Sequence, residues 1–141
     1  MSTRRDENLL VQQVMLTPDR FPVIVRETIL KEALEVMGKF HLGIACIVDE
    51  EQKLLGILTD GDIRRKLLNV QKPFSALFVD DALVHAIRSP VSVRPDESLR
   101  RGVQIMGEKK IWDLPVVDSR GKLLGLLHLH PAVQALLGVS G

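Results

Sequence analysis

The chain has 141 residues, 45% of them hydrophobic and 26% charged, with a net charge of +1. That balance describes a globular protein, and the near-zero charge excludes a global field that would draw in nucleic acid or a membrane surface. A single cysteine, Cys46, excludes an internal disulfide and a multi-cysteine zinc site, and its place in the apolar run "IACIV" marks a buried, inert thiol.

Along the chain, the polar start "MSTRRDEN" lacks the apolar core of a signal peptide. No apolar run approaches the length of a membrane span, so a cytoplasmic protein is expected. An extended run at 23–25 leads into a helix with Leu30, Ala33, Leu34 and Met37 on one face and Thr28 as its expected N-cap. Two strand-length apolar runs, 44–48 and 54–58, flank "DEEQK", a hairpin turn by composition. A closing helix begins at Asp60 or Gly61 and carries Ile63, Leu67 and Leu68 on its apolar side. The segment 70–82 holds Phe74, Leu77, Phe78 and Val79, too apolar for a free linker, and is expected to pack on the body, partly as helix.

The same grammar then returns. An extended run at 91–93 precedes a helix with Asp96 as its expected cap and Leu99, Val103 and Met106 on one face. Strands at 114–117 and 123–127 flank "DSRGK", and a last helix carries Val133, Leu136 and Leu137. From Met37 the two halves register without gaps at a spacing of 69 residues, so Asp49 meets Asp118, Lys53 meets Lys122 and Gly56 meets Gly125. Upstream, "TP" at Thr17 is echoed by "SP" at Ser89. The unit is β-α-β-β-α, twice: a first repeat at 11–69, a connector at 70–82 and a second repeat at 83–138. Neither half can bury its sheet face alone. An α/β (α+β) fold with the repeats packed around a pseudo-two-fold axis is the expected architecture.

The chemistry concentrates where the first repeat's last strand becomes a helix, in "GILTDGDIRR". A helix start leaves N–H groups unpaired, and its dipole favours anions or a hydroxyl oxygen. On one reading Asp60 caps the helix and Asp62 complements the dipole. On the other, Asp62 accepts the two hydroxyl protons of a ribose diol beside Thr59, with a phosphate farther along near Arg64 or Arg65. In the second repeat the equivalent run is "GLLHLHP", with His128 for Thr59 and Pro131 for Asp62. Proline accepts no hydroxyl proton, so one competent and one degenerate site are expected. His128 and His130 alternate along a strand end as two conceivable ligands without a third, so no metal site is expected. Trp112, ahead of a strand, suits a base-stacking wall, a dimer contact or plain packing. Gly-x-Ser-x-Gly and glycine-rich phosphate loops are absent from the sequence. "TDGD" with Asp80 and Asp81 does not follow the pattern of aspartyl phosphatases, so no catalysis is expected.

The duplication, "PVVD" at 115–118 and "GILTDGD" at 56–62, resembles a pair of CBS domains, a Bateman module, over about 11–138. The resemblance implies that Gly56, Thr59 and Asp62 match a Gly-x-x-(Thr/Ser)-x-x-Asp signature holding the ribose and phosphate of an adenosine-type ligand. It also implies a base pocket at Gly43, Ile44 and Ala45 with Ile24 and Val25; Asp60 and Arg64, from the reading of the junction itself, complete the expected ligand-binding set. "LGIACIVDEEQKLLGILTDGDIRRKL" followed by "LLGLLHLHPAV" is similar to the CBS tail of arabinose-5-phosphate isomerases of Kdo and capsule biosynthesis. The sugar-isomerase domain of those enzymes is not in this sequence, so the chain reads as a stand-alone relative or an excised regulatory piece. Similar "TDGDIRR" repeats accompany sugar-nucleotide transferases. The resemblance implies a homodimeric regulatory module with no required cofactor. Its ligand would be AMP, ATP, S-adenosylmethionine or a CMP-Kdo-like nucleotide-sugar. The alternative is a ligand-free interaction module clamping a partner enzyme, a sugar-phosphate isomerase or nucleotidyltransferase.

Overall fold

The computed structural model describes residues 9–69 and 73–138. The expectations for "MSTRRDEN", for the connector's residues 70–72 and for the Phe74 side chain lie outside the described residues. The chain divides into two compact units, one running from Asp19 to Pro90 and the other built from the segment up to Pro18 together with that from Val91 onward.

In the continuous unit, Val23–Val25 (β1) runs parallel to Ile44–Val48 (β2), with Val23 opposite Cys46. Antiparallel to β2 runs Leu54–Thr59 (β3), pairing Ile44 with Thr59 and Cys46 with Ile57. β2 is buried at every position, which suits a β-branched strand hydrogen-bonded on both sides and covered by helices. Leu30–Phe40 (α1), Asp60–Asn69 (α2) and Phe74–Phe78 (α3) supply the cover. Their Leu30, Ala33, Met37, Ile63 and Leu77 close a core with Ile24, Ala45, Ile47 and Leu58. Behind α2, Leu77, Ala82 and Leu83 are buried while Val79 faces out. A two-residue strand, Ile87–Arg88 (β4), completes the sheet by pairing with β3.

The second unit pairs Asp113–Val117 (β5) with Leu123–His128 (β6), and Leu99–Lys109 (α4) and Leu129–Leu136 (α5) flank them. Val11, Val93, Leu99, Met106, Leu114, Val116, Leu127 and Ala132 form its core. The extended run expected at 91–93 shrinks to one parallel bridge between Val93 and Val116. Pro90 and Pro95 bracket that run, and neither can donate to a ladder.

The duplication holds at atomic detail. Asp49 Oδ1 accepts the N–H groups of Glu51 and Lys53 at 2.8 and 3.0 Å, and Asp118 Oδ1 accepts those of Arg120 and Lys122 at the same distances. α1 and α4 both end on a left-handed residue with φ of 56°, His41 and Lys110. The expected caps differ from those observed. α1 starts after Ile29 with no side-chain cap, because the Thr28 hydroxyl accepts the Val25 N–H instead, at 3.1 Å. α4 is capped by Ser98, not Asp96, through the Arg101 N–H at 3.1 Å.

Each unit also borrows an edge from the start of the other repeat. β4 lies within the second repeat as bounded from the sequence, 83–138, yet pairs with β3. Leu16 lies within the first, 11–69, yet exchanges two backbone hydrogen bonds with Leu126 of β6, at 2.8 and 3.0 Å. Where the borrowed backbone crosses, the strand beneath carries glycine. A methyl group at Gly56 would come within 2.7 Å of the Ile87 carbonyl oxygen, and one at Gly125 within 2.7 Å of that of Leu16.

Candidate functional site

Thr59 ends β3, and α2 begins at the next residue. Its hydroxyl accepts the Asp62 N–H at 3.2 Å and donates to Asp62 Oδ2 at 2.7 Å. Thr59 is therefore the residue that satisfies this helix start; Asp60, the cap of one reading of the sequence, takes no such part. One turn on, Arg65 donates from Nη2 to Asp62 Oδ1 at 2.5 Å. The Asp62 side chain is 13% exposed, in the first helical turn where the dipole favours its charge. Each of its oxygens accepts one internal bond and keeps capacity for another, so the carboxylate can receive hydroxyl protons without leaving its frame.

Asp62, Arg65, Lys66 and Asn69 share one face of α2, at the i, i+3, i+4, i+7 spacing. They line one wall of a cleft of about 390 Å³, whose other wall is His85 and Ile87. The His85 side chain is 6% exposed and its Nε2 lies 3.0 Å from Asp80 Oδ2. Its Nδ1 is buried and has no hydrogen-bond partner among the described residues. Asn69 Nδ2 donates to the Arg65 carbonyl at 2.8 Å.

The residues expected at the ligand do not form one surface. Thr59 and Asp62 are joined, but the arginine at Asp62 is Arg65, while Arg64 is exposed and outside the cleft. Gly43 accepts the Asp60 N–H at 3.0 Å, and these two residues line a separate cleft of about 290 Å³ with Leu34, Met37 and His41. Ile24, Ile44 and Ala45 are buried in the sheet, and Val25 is half exposed. Lys66, Asn69, His85 and Ile87 escaped the sequence reading. Counting helical positions on from Asp62 finds the first two, whereas the turn carrying His85 has no periodic signal.

The second unit carries a different group at the same register. His128 pairs with Asp113 across the strands, as Thr59 does with Ile44, and its Nδ1 lies 2.7 Å from Asp113 Oδ1. Burial pushes the Asp113 carboxyl above its ordinary range, and the His128 hydrogen bond draws it partly back. Leu129 donates its N–H to the Trp112 carbonyl at 2.9 Å, the counterpart of Asp60 to Gly43. Pro131 has neither the N–H that Thr59 caps nor the carboxylate of Asp62. His130 is an exposed residue of α5, so it does not alternate with His128 along a strand. Among the described residues no three His, Cys, Asp or Glu side chains gather as metal ligands.

The family model for the CBS domain matches residues 11–69 and 79–130. The chain is a CBS-domain pair. Over 93% of its length this CBS pair is 33% identical to inosine-5′-monophosphate dehydrogenase of Aquifex aeolicus, covering 24% of that protein. Over 90% of its length it is 33% identical to arabinose 5-phosphate isomerase KdsD of Pseudomonas aeruginosa, covering 38% of it. The CBS pair thus spans well under half the length of these curated relatives. It also matches a crystal structure of CBSX2 in complex with AMP, with a TM-score of 0.81 and 27% identity over 93% of this chain and 98% of that one. CBSX2 is a CBS-pair protein of Arabidopsis thaliana.

Proposed function

We propose that this CBS pair is a non-catalytic regulatory module that binds an adenine nucleotide in the cleft beside Asp62. The observation that carries the reading is a carboxylate held by Thr59 and Arg65 and opening on a cleft of about 390 Å³. A ribose diol satisfies the remaining acceptor capacity of Asp62, and each hydrogen bond to a charged acceptor contributes about 1.5–3 kcal/mol. The AMP complex of CBSX2 supports an adenosyl ligand over a CMP-Kdo-like one. The reading needs no cofactor, assigns the second unit no ribose site, and places the module in the cytoplasm, where nucleotides are abundant and Cys46 stays reduced. Binding regulates by its differential affinity for two states of the module or its assembly. The likeness to KdsD supports an enzyme of sugar-phosphate metabolism as partner.

The test is thermal unfolding with AMP. At a hundred times its dissociation constant a specific ligand stabilises the native state by about 2.7 kcal/mol. The parent chain is expected to show that shift and Asp62→Asn to lose most of it. Equal shifts in both proteins would remove Asp62 from the site.

A second reading, an interaction module acting as a homodimer, is favoured by Leu68 on α2 and by Leu137 just beyond α5, which are 79% and 68% exposed. The two readings are compatible.

A further inference from the structure

We infer that the cleft beside Asp60 receives the partner's Trp112 in a dimer of this chain, an inference that rests on the homodimer reading above and names one contact of it. The cleft, about 290 Å³, falls just short of the range of about 300–1,000 Å³ that holds drug-sized ligands. One large side chain suits it better than a nucleotide. Leu34, Met37 and Leu42 give it apolar walls, and Gly38 leaves one side open, since a methyl group there would meet nothing within 4 Å. Glycine inside a helix is destabilising relative to alanine, and no contact within the chain requires it at this place. Asp60 also lines the cleft. It is exposed, and its carboxylate has no hydrogen bond or ion pair among the described residues.

The second unit presents the opposite shape and charge at the same positions. Trp112 stands where the first unit has Gly43, because its carbonyl accepts the Leu129 N–H as that of Gly43 accepts the Asp60 N–H. Lys110 stands where the first unit has His41, both left-handed with φ of 56°. Against the hollow beside Gly43, therefore, the second unit sets the chain's one tryptophan, 72% exposed. Lys110, two residues before it, is exposed and has no ion pair among the described residues. A hollow with a free carboxylate and a protruding indole with a free ammonium are complementary, and one chain carries both. Two copies paired reciprocally satisfy them together. The partner's Trp112 buries its ring against the apolar walls, and the partner's Lys110 faces Asp60.

Trp112 is the only tryptophan, so its fluorescence reports this contact without a label. The full chain is diluted through the dissociation range while light scattering gives its mass. Emission is expected to move from a blue-shifted, buried maximum to that of exposed indole as the dimer comes apart. Trp112→Ala removes no buried group, should leave the circular dichroism unchanged, and should weaken association by about thirtyfold. Asp60→Lys, with Trp112 in place, is expected to weaken it at least about tenfold, and the double variant Asp60→Lys, Lys110→Asp to recover most of that loss. A dimer whose Trp112 emits as exposed indole, or one that Trp112→Ala leaves unweakened, would overturn the inference while the homodimer reading stands. A defect in Asp60→Lys that Lys110→Asp does not reverse would overturn it too. A chain that is monomeric at every concentration would remove both.

Discussion

Gly56 and Gly125 occupy the same place in the two repeats and yield to different neighbours, the Ile87 and Leu16 carbonyls. A backbone carbonyl cannot rotate away as a side chain can. Gly56→Ala is therefore expected to lower stability by about 1–3 kcal/mol, read from the urea midpoint. Gly107, inside α4 with open space around it, is the contrast: Gly107→Ala is expected to add about 0.5–1 kcal/mol in the same measurement. At this scale the sequence was informative where one residue's chemistry sufficed. Thr59 and Asp62 stand out because a helix start needs a hydroxyl and tolerates a carboxylate. The choice of Arg65 over Arg64 needed the helical phase, since of the two arginines Arg65, at i+3, returns to the face of Asp62 and Arg64, at i+2, does not. His85 reaches the cleft through tertiary packing, and no local pattern announces that.

The hairpins are the elements in which the duplication is easiest to see, because Asp49 and Asp118 each close a turn with two backbone N–H groups. Those bonds, led by the ones from Lys53 and Lys122, hold both carboxyls below the reference value of 3.8. A depressed native pKa stabilises the fold above the unfolded-state value and loses that contribution as pH falls through the native one. Melting temperature should accordingly drop as pH falls below about 4. The double variant Asp49→Asn, Asp118→Asn, which keeps an accepting oxygen in each turn, should show a shallower drop over the same range. Strand and helix positions were legible from apolar periodicity, whereas the caps were not. Asp96 and Ser98 are both cap-forming types two residues apart, and the register that decides between them is set by where Leu99 enters the core.

For the whole molecule, the net charge of +1 offers little repulsion to keep copies apart, and both closing helices leave a leucine exposed at or just past their C-terminal ends. Apolar groups repeated at matching positions suit a self-complementary surface. Light scattering on a sizing column is expected to give twice the mass of the 15.7 kDa chain, and the double variant Leu68→Glu, Leu137→Glu half of that value. A monomeric parent would leave the exposed leucines without this role.

The borrowed edges also bear on how the chain is made. Asp19 to Pro90 is uninterrupted, so that unit has all its parts once Pro90 has left the ribosome. The other unit must keep Val11 and Leu16 waiting until β6, more than a hundred residues later, has been translated. During translation one half can fold early while the other holds an apolar segment in reserve, the stage at which a nascent chain is most exposed to mispairing and to chaperones.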